Sequence, residues 1–233
     1  MNLPSIQRHG DLRALELTKT YGPVFALDHV SLTVPSGQSL AIMGPSGSGK
    51  STLLHCLAGI LVPEHGEVSL GDIPITLQPD AARSALRRHH FGFVFQDGQL
   101  LPELSARENV ALPLMLNGVR RDQALVQADD MLARLGLHAE AARRPGEMSG
   151  GQAQRIAIAR ALVHSPSVVF ADEPTGALDQ ATGRDVMRVL TGATRSCGAT
   201  LVLVTHDSLV AQGCSRTVEL FDGRLHADRM VAA

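Results

Sequence analysis

Gly44, Pro45, Ser46, Gly47, Ser48, Gly49, Lys50 and Ser51, with Thr52 behind them, form the stretch of this chain whose spacing most clearly asks for a ligand. The spacing is that of a phosphate-binding loop. Glycines at 44, 47 and 49 permit backbone angles that a side chain would block, so amide N–H groups can converge on phosphate oxygens. A helix opening near Lys50 adds the positive end of its dipole. Lys50 can bridge β- and γ-phosphates, and the Ser51 hydroxyl can ligate Mg2+. A flexible glycine turn is the bland alternative. The short apolar run Ser39 to Met43 before the loop and the helical pattern after it supply the context the motif needs.

Val168-Val169-Phe170-Ala171-Asp172-Glu173 is a second candidate. A buried apolar strand would deliver two carboxylates at its C-terminal end, where open α/β sheets place ligands. Asp172 would hold the Mg2+ shell. Glu173 would orient or deprotonate an attacking water, because phosphoryl transfer depends mainly on positioning and charge. A strand ending in acids is common, so the pair gains its meaning from the phosphate loop.

Met148-Ser149-Gly150-Gly151-Gln152 opens a helix that continues through Arg160. A serine and two glycines at a helix N-terminus make a second potential anion site. On these residues alone, a capped helix after a loop is the simpler reading.

These residues need an α/β frame. Val30, Leu32 and Val34 alternate with polar residues as in a half-buried strand ending at Pro35-Ser36-Gly37. Lys50 to Leu61 reads as a helix, and Val68 and Leu70 as a strand closed by Gly71-Asp72. Asp80 to His90, Ser105 to Leu116 and Arg121 to Leu137 read as helices. Ser105 and Glu108 have capping-box spacing, and Gly136 is a helix stop. A helix is expected from Ser149 to about His164. Ser167 to Ala171 and Thr200 to Thr205 suit buried parallel strands, with Asp179 to Arg195 as the crossover helix. Asp222-Gly223 marks a turn. The expectation is one domain over 1–233, with a core of about 12–96 and 154–233 and a mostly helical insert of about 97–153.

Composition narrows the function classes. The chain has 233 residues, 44% apolar and 19% charged, with a formal net charge of −2. No overall field favours nucleic acid or an anionic membrane, so a phosphate ligand needs a local site. Three scattered cysteines fit a reducing compartment better than a disulfide framework. No apolar run approaches the ~20 residues that span a bilayer. The polar stretch Met1 to Gly10 lacks the apolar core of a signal peptide. The expected location is the cytoplasm, and any membrane role would need a spanning partner.

Taken together, the three motifs closely resemble the ATP-binding subunits of ABC transporters, in that family's order and approximate spacing over nearly the whole chain. Met148 stands where the family's signature segment usually has Leu, a mild change of volume and polarity. The resemblance implies a P-loop NTPase of ABC type, with a parallel core sheet, an antiparallel β subdomain and a helical subdomain. It implies ATP and Mg2+ as cofactors. It places Tyr21, the only tyrosine, on adenine, and Gln96, after the Phe91 to Phe95 strand, on Mg2+ and water. Asp179 falls in a loop that crosses a subunit interface, and His206 contacts the γ-phosphate. Lys50, Gln96, Glu173 and His206 are thus the expected catalytic set. Ser149, Gly150, Gly151 and Gln152 would cover the ATP of a second copy in a head-to-tail dimer. The physical logic agrees, since two anion sites ~100 residues apart in different subdomains can sandwich nucleotides only across an interface.

The resemblance also implies an integral-membrane permease partner and a peripheral position on the inner face of the membrane, while the net charge of −2 gives the expectation of no nucleic-acid partner. Phe91 to Gln96, Leu100 to Leu114 and Glu173 to Asp179 look like the subgroup serving lipoprotein release, macrolide efflux, antimicrobial-peptide resistance and cell division. An amino-acid importer ATPase and a regulatory cassette driving a cell-wall hydrolase are the alternatives. Two-cassette translation proteins have twice this content, and chromosome ATPases need a long heptad segment that is not visible. Arg83, Arg87, Arg88, His89 and His90 read as a solvated helix face, Arg120-Arg121 as a loop or helix start, and Cys56 as core. Leu100-Leu101 read about evenly as core residues or as a partner contact on their own, and the resemblance tips the reading towards the contact. Cargo is not legible, because recognition in this family lies mainly in the permease.

Overall fold

The computed structural model describes residues 10–231. The reading of the polar N-terminus therefore lies, but for Gly10, outside the described residues.

Two sheets make the frame. Strands β1 (Leu12–Tyr21), β2 (Val24–Val34), β4 (His65–Leu70) and β5 (Ile73–Pro74) form an antiparallel sheet in the order β2-β1-β4-β5. The second sheet adds β3 (Ser39–Met43), β6 (Phe91–Phe95), β7 (Val168–Asp172), β8 (Thr200–Val204), β9 (Arg216–Phe221) and β10 (Arg224–Met230) in the order β10-β9-β3-β8-β7-β6. Its neighbours pair in parallel except β10, which returns antiparallel on β9 through the expected turn at Asp222-Gly223.

Within the larger sheet, β3, β7 and β8 are buried on both faces, which explains their unbroken apolar runs. Leu40, Ile42, Val168, Phe170, Val202 and Val204 point into one core, shared with β1, β2 and the helix α1 (Lys50–Leu57). Ala41, Val169, Ala171, Leu201 and Leu203 point into the other. That second core is closed by α3 (Ala106–Leu116), α4 (Arg121–Arg134), α5 (Gly150–Leu162) and α6 (Gln180–Ser196). The period of two along each strand thus assigns adjacent residues to opposite cores. Each fully buried leucine or valine stabilises the fold by about 1.5–3 kcal/mol relative to exposure.

Helix boundaries follow local chemistry. α2 (Asp80–His90) runs as expected and passes directly into β6. α3 starts at the Ser105–Glu108 capping box, with Ser105 accepting from the Glu108 N–H and Glu108 accepting from the Ser105 N–H. α1 is shorter than the expected helix to Leu61. Gly59 takes φ +63°, and the Ile60 N–H donates back to His55 O at 2.9 Å. A left-handed residue followed by that six-to-one bond is a Schellman stop. The basic cluster also departs from a solvated face. Arg83 donates to Gln78 O, and Arg87 to Gly59 O and Ser84 Oγ, while Arg88 is exposed. Their guanidinium groups satisfy carbonyls that the turns leave unpaired. Arg121 is the first residue of α4 and Cys56 is fully buried. Among the described residues, no helix is long and apolar enough to cross a membrane.

Candidate nucleotide site

Sheet register brings the motifs together. Ile42 lies level with Val204, Val204 with Asp172, and Asp172 with Phe95. The residues that step off this edge are therefore Met43 and Gly44, Thr205 and His206, Glu173, and Gln96. Four segments far apart in sequence leave one sheet at one level because parallel strands share a C-terminal edge.

The loop after β3 is built by close approach. A Cβ on Gly44 would lie 2.1 Å from Leu220 O, and one on Gly49 would lie 2.1 Å from Ala26 O. Both positions also have positive φ, +148° and +101°. Side chains there would drive the loop off β9 and β2. Gly49 caps α1 without offering any side-chain acceptor. The first-turn N–H groups of α1 have no intrahelical partner. The Ser48 Oγ is buried and has no hydrogen-bond partner among the described residues. Lys50 is folded into the loop, its Nζ donating to Gly44 O at 2.9 Å and Pro45 O at 2.7 Å. Unpaired donors and a converging ammonium suit a polyphosphate.

Across the cleft, Ser51 Oγ donates to Asp172 Oδ1 at 3.4 Å. Burial pushes the Asp172 carboxyl above its ordinary range, against the pull of Ser51, His55 and Lys50. A half-buried carboxylate beside a hydroxyl is a fitting donor pair for a hard divalent cation. Glu173 takes φ +45°, a strained value for a residue with a side chain. Both its oxygens are held from the end of β8. Glu173 Oε1 accepts from the His206 N–H at 3.1 Å and meets His206 Nδ1 at 2.7 Å, and Oε2 accepts from Thr205 Oγ1 at 3.2 Å. The carboxylate thereby orients the exposed imidazole.

Tyr21, Ser46, Gly47, Gly49, Lys50, Ser51, Thr52, Asp172, Glu173 and His206 line one cavity of about 700 Å³. Gly44, Pro45 and Ser48 belong to the same loop. Tyr21 ends β1 and is 54% exposed, with its ring 5.8 Å from Lys19 Nζ. Gln96 lies outside this lining. Its amide packs on Gly176, where an added Cβ would meet Gln96 Nε2 at 3.0 Å.

The Ser149 segment lies apart from this cavity as well. Ser149 Oγ accepts from the Gln152 N–H, Gln152 Oε1 accepts from the Ser149 N–H, and Gln152 Nε2 donates to Glu140. This is the capped helix of the simpler reading. A Cβ on Gly151 would lie 2.4 Å from Thr182 Cγ2, so that glycine lets α5 pack on α6, while Gly150 sits against Leu178. Asp179 caps α6 by accepting from the Ala181 and Thr182 N–H groups. Sequence reasoning missed Thr205, Val24 and Ala26 at the site, and also Asn109. The last had a signal, since it falls between Ala106 and Val110 on the apolar face of α3.

The sequence profile described as ABC transporter matches residues 27–176. The lipoprotein-releasing system ATP-binding protein LolD of Geobacter metallireducens is 46% identical over 93% of this chain and 98% of its own. The macrolide export ATP-binding/permease protein MacB of Burkholderia pseudomallei is 46% identical over 89% of this chain, which spans 32% of that longer protein. Among solved structures, the dimeric post-hydrolysis state of the ATP-binding cassette MJ0796 bound to ADP and Pi superposes with a TM-score of 0.85. It is 38% identical and covers 95% of this chain and 99% of its own.

Proposed function

Because this chain belongs to the ABC transporter family as one of its ATP-hydrolysing cassettes, we propose that it binds Mg·ATP in the cleft between Gly44 and His206 and powers a membrane permease of the lipoprotein-release or macrolide-export kind. The observation that carries this is the shared cavity, where a phosphate loop faces two carboxylates and a histidine. The LolD and MacB relatives favour this subgroup over an amino-acid importer.

In this reading, the Gly44–Thr52 loop grips the phosphates through backbone N–H groups, and Lys50 neutralises their charge. Tyr21 stacks on the adenine. Ser51 and Asp172 would hold Mg2+, which supplies positive charge at the phosphate oxygens, and Gln96 would join them by leaving Gly176. Glu173, fixed by Thr205 and His206, orients water, and His206 is aimed by the same carboxylate. A second copy covers the nucleotide with Ser149 to Gln152, and Asp179 lies at that interface. The permease docks in a largely apolar groove of about 500 Å³ among α2, β6, α3 and α5, walled by Phe91, Phe93, Phe95, Pro113, Leu116 and Arg160. The chain would then sit on the inner face of the membrane.

Lys50→Ala is the direct test. Turnover of ATP should fall to near background, with a melting temperature within about 3 °C of wild type. Wild-type turnover in the folded variant would refute the phosphate-loop assignment.

A further inference from the structure

Between Phe95 and the N-cap Ser105 the chain forms neither helix nor strand. This is the segment that carries Gln96, and its backbone polar groups need partners from elsewhere. Side chains of two helices provide them. From α5, Gln154, only 2% exposed, donates from Nε2 to Phe95 O at 2.8 Å. About 9 Å further along that helix, Arg160 donates from Nη2 to Gly98 O at 2.7 Å and from Nη1 to Gln99 O at 2.6 Å. From α3, the fully buried Asn109 accepts from the Leu101 N–H at 2.8 Å and donates to Leu101 O, Leu104 O and Ser105 O at 3.1–3.2 Å.

Arg160 is the informative member. Burial lowers its pKa, and among the described residues no carboxylate offsets that burial. Leucine or methionine would fill the space without removing a charge from water. What an aliphatic side chain cannot do is hold two successive carbonyls with one planar fork. The helix that carries Arg160 begins, 13 residues long, just after Ser149. A helix of that length is a rigid rod between the two ends.

We infer that Arg160 is a positioning residue that fixes the Gln96 segment to α5, so that the Ser149 end of the helix and Gln96 move as one body. This rests on the proposed ATP sandwich. Contact of Ser149 with the nucleotide of a second copy is then relayed through α5 to Gln96 at the chain's own nucleotide. Arg160 thereby couples the two ATP sites without touching either.

The test uses the full chain with Mg2+, as wild type, Arg160→Lys and Arg160→Leu. Lysine keeps the charge and stem but has no fork, and leucine removes both. Three quantities are read: ATP turnover against ATP concentration, equilibrium ATP affinity, and hydrogen exchange of residues 97–101. We expect kcat to fall about tenfold in the leucine variant and less in the lysine variant. ATP affinity should hold, the Hill coefficient should drop toward about 1, and exchange at 97–101 should speed up. Wild-type kcat, cooperativity and exchange in a folded variant would overturn the inference. So would weakened ATP affinity at unchanged kcat, which would make Arg160 a nucleotide-binding group. If the leucine variant does not fold, the lysine variant decides. A wild-type protein without turnover would strike down the proposed function instead, and the exchange comparison would still decide whether the clamp exists.

Discussion

As the proposed Mg2+ ligand, Asp172 would serve its function at the expense of the fold. Burial raises its pKa, so at neutral pH the folded protein keeps a carboxylate that would be better solvated in the unfolded chain. The sign follows directly. A raised folded-state pKa favours folding below the unfolded value and loses that stability as pH rises through the folded value. Asp172→Asn should therefore raise the melting temperature of the nucleotide-free protein at pH 7 by about 1–3 °C. The gain should vanish as pH falls through the ordinary carboxylate range, where both proteins are uncharged at this site. The same variant should lose most Mg2+-dependent turnover. Scanning calorimetry at pH 7 and pH 4 with parallel turnover assays would check it, and a destabilised variant at pH 7 would contradict the account. Glu173 carries a different strain, φ +45°, which the β8 exit holds in place through the Glu173 N–H to Val204 O bond at 2.9 Å and the Thr205 and His206 contacts.

Among the elements, the stretch before α3 separates two neighbouring leucines. Leu100 packs against the core under the helices, whereas Leu101 is 42% exposed. The Leu101 backbone is pinned by Asn109 regardless of its side chain. Leu101→Asp should then change folding stability by no more than about 0.5 kcal/mol, as is usual for exposed positions. Nothing in the nucleotide chemistry uses this side chain. If it contacts the permease, the variant should co-purify with that partner about tenfold less well and lose partner-stimulated turnover, while ATP binding stays intact. Full retention of the complex would remove Leu101 from the docking surface. A collapse in melting temperature would return it to the core.

For the whole molecule, the decisive property is that the two segments proposed to face nucleotide do not meet. The phosphate loop lies at the edge of the large sheet. The Ser149 segment lies on α5 over the opposite core, and Asp179 is at the start of α6 beside it. One chain cannot sandwich its own nucleotide, so closure needs a second copy. Glu173→Gln keeps the shape of that side chain but removes its charge. Turnover should drop at least about a hundredfold, while Mg·ATP still binds. Size-exclusion chromatography with Mg·ATP should then show a dimer that outlives the wild-type one. Monomer at every ATP concentration, with binding verified, would show that this carboxylate does not control reopening.

How much of this was legible follows from the range of each interaction. The phosphate loop, the Asp172–Glu173 strand end and the Ser105 capping box were readable because each depends on residues a few positions apart. The buried strands were readable because a sheet covered on both faces leaves no polar alternation. β1 and its turn at Gly22-Pro23 were not singled out, although they place Tyr21. The end of α1 was misjudged because Gly59 acts through a left-handed angle that neighbouring apolar residues do not announce. Only the tertiary structure set the strand order, which puts β8 between β3 and β7 and so brings Thr205 and His206 onto Glu173. It alone paired Arg160 with Gly98 across 62 positions of chain. It also gave Gly151 its packing role against Thr182. Local geometry is written in neighbouring residues. Contacts between distant segments depend on how the whole chain packs, and no short spacing encodes them.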